Sequence, residues 1–146
     1  MPKIFLDIDD VIFNWYVDYA KRFNTKVPKS WLNLSVKNIP NFQPNGFVSA
    51  RGIPKSWTKD SLKINNIPGR SNVYQVGWGQ SKIELLKKLK TDIFIDDKYE
   101  TFKDCHKNNI FCLLMDAPHN QKYKTKYRIY DLNINTILEK YNKWLK

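Results

Sequence analysis

Asp7 and Asp9 follow one short apolar run, Asp96 and Asp97 follow another, and paired acids in that setting imply cation chemistry. Carboxylates gathered at strand ends are costly unless something positive binds them, and like charges forced together raise each other's pKa. A hard divalent cation with oxygen ligands resolves the conflict. Magnesium suits few carboxylates together with water and phosphate. Ser49 and Arg51 leave a third apolar run, and Lys82 opens the lysine-rich segment that precedes Asp96 and Asp97. Either acidic pair alone also reads as a helix cap, with Asp10 ahead of Val11 and Ile12, and Asp97 ahead of the next helix. Two such pairs, each directly after an apolar strand, favour the cation.

The elements that must position these residues can be read from hydrophobic periodicity. Residues 3–8 (KIFLDI) are a buried strand, and 12–24 (IFNWYVDYAKRFN) a helix with its large apolar groups on one side. Pro28, Pro40 and Pro44 punctuate the stretch to Asn45. Residues 46–49 form a short second strand, 56–66 a helix that Pro68 and Gly69 end, and 72–76 a third strand. Residues 80–90 are the clearest helix, with Ile83, Leu86 and Leu89 inward. A strand at 92–95, a helix at 98–108, strands at 110–115 and 127–130 and a helix at 133–145 complete the chain. This alternation predicts an α/β fold, a doubly wound and mostly parallel sheet with helices on both faces. In such a sheet ligands bind beyond the carboxyl ends of the strands, where the unusual polar residues lie.

The chain's 146 residues suit a single domain, 1–146, with one reduced insert at about 13–45 between the first two strands. A hydrophobic content of 42% excludes a disordered chain, and no apolar stretch approaches the ~20 residues of a membrane helix. An acid interrupts the N-terminal apolar run early, unlike a signal peptide. The expectation is a soluble cytoplasmic protein with no membrane partner. Cys105 and Cys112 are too few for a disulfide scaffold and read as reduced structural thiols. The formal charge of +11 attracts phosphate-bearing ligands, nucleic acid among them, although solvated lysines also serve solubility.

Four segments, in order, resemble the motifs of the haloacid dehalogenase (HAD) superfamily. Residues 4–11 (IFLDIDDV) are similar to its first motif, 46–51 (GFVSAR) to its second, Lys82 to its third-motif lysine and 93–97 (IFIDD) to its fourth. The resemblance spans roughly residues 3–130. Residues 49–69, 82–97 and 113–120 resemble the small deoxyribonucleotidase-like phosphatases of that superfamily. The resemblance implies a HAD-like, Rossmannoid sheet with a small helical cap insert, and a magnesium-dependent phosphatase. Asp7 would attack phosphorus to form an aspartyl-phosphate, and Asp9 would handle the proton. Asp7, the backbone carbonyl of Asp9, Asp96 and Asp97 would hold Mg2+. Ser49 and Lys82 would bind phosphoryl oxygens, with Arg51 as a further cationic contact. The short insert departs from nucleotidases that carry a full cap, and leaves room for a bulky substrate.

Trp15, Trp31, Trp57 and Trp78 are aromatics able to stack on a base or simply to pack. Trp15 and Trp78 are the best placed, one after the first motif and one between Gly77 and Gly79. Trp144 reads as core, and His119 as an exposed histidine of the loop after the strand at 110–115, from which it could also reach the site. The leading expectation is hydrolysis of a phosphorylated small molecule, a nucleotide. A polynucleotide-end phosphatase and a non-catalytic basic nucleic-acid-binding protein on the same fold are the rival readings.

Overall fold

In the computed structural model, which describes residues 1–15 and 34–146, three apolar residues form β1 (Ile4–Leu6) at the centre of a sheet. On one side of β1 lie β2 (Gly46–Ser49) and β3 (Val73–Gln75). On the other lie β4 (Ile93–Asp96), β5 (Phe111–Met115) and β6 (Arg128–Ile129). The order is β3-β2-β1-β4-β5-β6, and every pairing is parallel. Parallel neighbours need long crossovers. Helices α1 (Lys55–Ile64), α2 (Ile83–Lys88) and α3 (Tyr99–Lys107) lie within them, and α4 (Ile134–Leu145) follows β6. The arrangement is an α/β, Rossmann-like sheet with four α-helices among the described residues.

Side chains alternate across the pleat, so each strand feeds two cores. Ile4, Leu6, Ile93 and Ile95 pack with Leu62 of α1 and Ile137 of α4. Phe5, Val48 and Phe94 pack with Leu86 of α2 and Phe102 and Cys105 of α3. Helices therefore cover both faces, which explains why β1, β2, β4 and β5 are buried along their whole length. The chain runs from β1 outward to β3 and then returns to the far side of β1. The direction of winding thus reverses between β1 and β4, which opens a crevice at their carboxyl ends.

One element departs from the periodicity. A helix beginning at residue 12 is not formed there. Asp10 takes a left-handed φ of 61°, a single turn closes through Ile12 N–H to Ile8 C=O at 2.8 Å, and Phe13 makes an isolated antiparallel bridge to Val36. Val11, Ile12 and Phe13 are all buried, and three consecutive buried positions cannot lie on one stripe of a surface helix. The remainder of the expected helix at 12–24, Trp31 and much of the cap insert at 13–45 lie outside the described residues. Among the described residues no helix is long and apolar enough to cross a membrane.

Candidate active site

β1 and β4 are adjacent and in register, Leu6 beside Ile95, so the residues leaving them emerge together. Asp7 donates its backbone N–H to Ile95 C=O at 2.9 Å, which extends the pairing and sets its side chain beside Asp96. A cleft of about 500 Å³ opens here, within the size range of small-molecule sites. Asp7, Asp9, Ser49, Lys82, Asp96 and Asp97 all line it. Trp15 and Trp78 line it too, with ring centroids 6.1 Å apart. Trp78 is 65% exposed, and Gly79 after it takes a φ of +76°.

Lys82 is the electrostatic hinge of the site. Its Nζ lies 2.8 Å from Asp7 Oδ1 and 2.8 Å from Asp96 Oδ2, and all three side chains are buried. Lys82 sits at the N-cap of α2 rather than two residues inside a helix that starts at residue 80. That position swings its stem back over the strand ends. Burial alone would lower its pKa; Asp7 and Asp96 outweigh burial and raise it. One cation does not neutralise the acids around it. Burial, then Asp96, pushes the Asp7 carboxyl up to about 7 against the pull of Lys82. Burial, then Asp96, Asp7 and Asp10, pushes Asp97 well above the usual carboxylate range.

Asp7, Asp96 and Asp97 each offer an oxygen within 4.8 Å of the others. Three converging carboxyl groups, two of them held toward the protonated form, are a donor set that fits a hard dication. Ser49 Oγ is buried and has no hydrogen-bond partner among the described residues. A buried hydroxyl of that kind on a cleft wall is suited to a ligand's acceptor oxygen.

Two expected contacts are arranged differently. Arg51 does not line the cleft; it is buried, and its Nε and Nη2 hold Asp9 at 3.0 and 2.7 Å. Nη1 reaches Thr58 Oγ1 at 3.3 Å, and Thr58 donates to Gln75 Oε1 at 2.9 Å. Arg51 therefore orients Asp9 from below, as a bidentate fork does. His119 keeps the exposure expected of a loop histidine, yet its Nε2 lies 2.7 Å from Asp97 Oδ2. It also falls in a second grouping of possible ligands with Asp10 and Asp97.

Sequence reasoning missed four supporting side chains, those of Lys37, Asn38, Asn120 and Arg128. Lys37 Nζ donates to Asp10 C=O at 2.8 Å and to Asp116 C=O at 2.5 Å, and burial lowers its pKa. Lys37 N–H, Asn38 N–H and Asn38 Nδ2 bond the carbonyls of Ile12 and Val11, so residues 35–38 strap the turn that follows Asp9. Buried Asn120 donates to Asp97 C=O at 2.7 Å and Met115 C=O at 2.8 Å, and Arg128 Nη1 braces it at 2.7 Å. No local pattern marks a lysine in a proline-rich stretch or an asparagine in a polar loop as site scaffolding. Cys105 and Cys112 are free and buried in the core, and neither lines the cleft. Trp144 packs on Phe111 at 5.2 Å, and Trp57 is half-buried outside the cleft.

The chain matches no protein-family model and no curated protein sequence. The chemistry of the site rests on its own atoms. Protons on Asp7 and Asp97 compete with a cation; the one on Asp7 leaves as pH rises through about 7, and Asp97 too is held well above the usual carboxylate range. Because the folded protein binds those protons more tightly than the unfolded chain, metal-free stability falls over the same range. Magnesium is therefore expected to raise the melting temperature more at about pH 8 than at about pH 6. Differential scanning fluorimetry with and without MgCl2 checks this. Equal shifts at the two pH values, or none, would remove these acids as ligands.

Proposed function

We propose that the chain is a magnesium-dependent phosphomonoester hydrolase of the HAD type, acting on nucleotides through an aspartyl-phosphate. The observation that carries this is the convergence of Asp7, Lys82 and the partnerless Ser49 hydroxyl on one cleft at the winding reversal. Bound at Asp7, Asp96 and Asp97, with Asp97 buttressed by His119, Mg2+ would neutralise charge on the phosphoryl oxygens. Lys82 has a donor beyond the two contacts it makes, and Ser49 offers its hydroxyl; both suit phosphoryl oxygens.

Asp7 attacks phosphorus as a carboxylate, and the bond from phosphorus to the ester oxygen breaks. Asp9 supplies the proton that the leaving alkoxide takes. In the second half Asp9 accepts a proton from water as that water attacks phosphorus, which releases phosphate and restores Asp7. Arg51 keeps both Asp9 oxygens fixed over the cleft between these transfers. Trp78, exposed at the cleft and leaning on Trp15, supports a base as the substrate's remainder.

The direct test is phosphate release with MgCl2 from mononucleotides, sugar phosphates and end-phosphorylated oligonucleotides. Release from nucleotide substrates is expected. No release from any of them by folded protein would leave a non-catalytic binding protein as the better reading. Within this mechanism Lys82→Ala is expected to lower kcat/KM by roughly 100-fold, the scale for losing one preorganised donor. Lys87→Ala and Lys88→Ala, on the exposed side of the same helix, are expected to stay within about twofold of wild type. Equal small effects for all three would return Lys82 to a structural role.

A further inference from the structure

We infer that the substrate is a single-stranded nucleic acid with a terminal phosphate, whose strand leaves the cleft over Tyr123 and follows the lysines of the loop at 116–127; this rests on the phosphatase reading above. A mononucleotide needs one aromatic platform, and the cleft has two. Besides the tryptophan pair, Tyr99 and Tyr123 both line it. Their rings stack with centroids 3.7 Å apart and planes 11° apart. Tyr99 stacks in turn on Phe102, which is buried in the core beneath α3. The column is therefore anchored at its base and ends in a half-buried tyrosine at the cleft wall.

Beyond Tyr123 the surface is basic. Lys122, Lys124 and Lys126 are all exposed, and Lys122 Nζ lies 5.1 Å from the Tyr123 ring centroid. Gln121, Lys124, Lys126 and Tyr130 border a second concavity, and Lys126 also borders a third with Lys140 and Trp144. One loop thus links the cleft to two further grooves through a lysine at every second position. Arg128 holds that loop in shape, bonding Asp116, Asn120 and the Tyr123 carbonyl. Bases stacked on aromatic rings with the backbone tracked by lysines are how single strands are held. A duplex would hide its base faces from both platforms.

The test measures binding, so it does not depend on turnover. Asp7→Asn protein, which leaves the terminal phosphate in place, is titrated with a labelled short oligodeoxynucleotide by fluorescence anisotropy at several salt concentrations. Lys122→Ser, Lys124→Ser and Lys126→Ser combined in one variant are expected to weaken binding at least tenfold. They should also flatten the salt dependence by about two log units per log unit, since each single-strand phosphate contact contributes about 0.7. Lys59→Ser, Lys63→Ser and Lys88→Ser combined, at exposed lysines of α1 and α2, remove the same charge and are expected to leave binding within twofold. Tyr123→Ala should weaken binding about tenfold with an unchanged salt slope. Equal losses in the two triple variants, or equal affinity for the duplex of the same sequence, would overturn the inference. If wild type releases phosphate from mononucleotides while oligonucleotide binding ignores the loop, the inference fails and the phosphatase reading stands. If no substrate is hydrolysed but the loop lysines and Tyr123 still govern strand binding, the surface stands and the phosphatase reading fails.

Discussion

Asp7→Asn is expected to abolish phosphate release, with a loss of roughly four orders of magnitude or more in kcat, while the fold persists. Removing the nucleophile of a covalent mechanism acts on that scale, because what remains is binding and electrostatic stabilisation. The fold should tolerate the change for a specific reason. Asp7 is buried and its pKa is already raised to about 7, so a neutral amide of the same shape replaces a carboxyl the interior holds part-neutral. Lys82 loses one partner and keeps the other, Asp96, at 2.8 Å. Circular dichroism and the melting temperature should match wild type within a few degrees, and phosphate release in MgCl2 should fall to background. Substantial turnover by this folded variant would remove Asp7 as nucleophile.

That prediction draws on residues legible in the sequence, and the reason they were legible is physical. β2 was read at residues 46–49 and is formed by Gly46–Ser49, because a strand buried on both faces is a continuous apolar run with an abrupt polar end. The same signal located Asp7 after β1 and Asp96 at the end of β4, and the winding of the sheet then brought them together. Contacts that depend on distant segments left no such trace. Arg51 is 42 positions from Asp9, and Lys37 is 79 from Asp116. Arg51 was read as a substrate contact because its type and position fit one. Its bond to Thr58, itself bonded to Gln75, helps hold the fork toward Asp9. His119 is exposed, as read; that it also reaches Asp97 depends on the buried Asn120 beside it, which bonds the Asp97 carbonyl. Tyr99 and Tyr123 carried no periodic signal as a pair, since one is on α3 and the other in a polar loop. The turn at residues 8–13 failed for a different reason. Its apolar run is consecutive, and only the left-handed Asp10 and the strap at residues 35–38 show that it folds under the site.

Activity is expected to vanish in excess EDTA and to return with MgCl2, and Asp96→Asn is expected to raise the magnesium concentration for half-maximal rate by at least tenfold. The electrostatics of the site set the direction. Lys82 bridges Asp7 and Asp96, yet Asp97, whose oxygen lies within 4.8 Å of theirs, adds a third carboxyl whose partner among the described residues is His119 rather than a lysine. Burial and mutual repulsion hold Asp7 and Asp97 toward the protonated form. A protonated Asp7 cannot attack phosphorus, so whatever keeps it ionised also sets the rate. Lys82 supplies part of that field, and a dication held by these acids would supply the rest. Asp96→Asn would remove one of the proposed ligands and also one of the repelling charges, so it should weaken the metal response without unfolding the protein. Asp9→Asn should behave in the opposite way. Its carboxyl is gripped by Arg51 and stands outside both groupings of possible ligands, so its loss should lower kcat at saturating magnesium with a half-maximal concentration close to wild type. The two variants are compared by magnesium titration of the initial rate at fixed substrate and ionic strength. Full activity in EDTA would end the metal assignment. A shifted magnesium requirement in Asp9→Asn with none in Asp96→Asn would exchange the roles of the two aspartates.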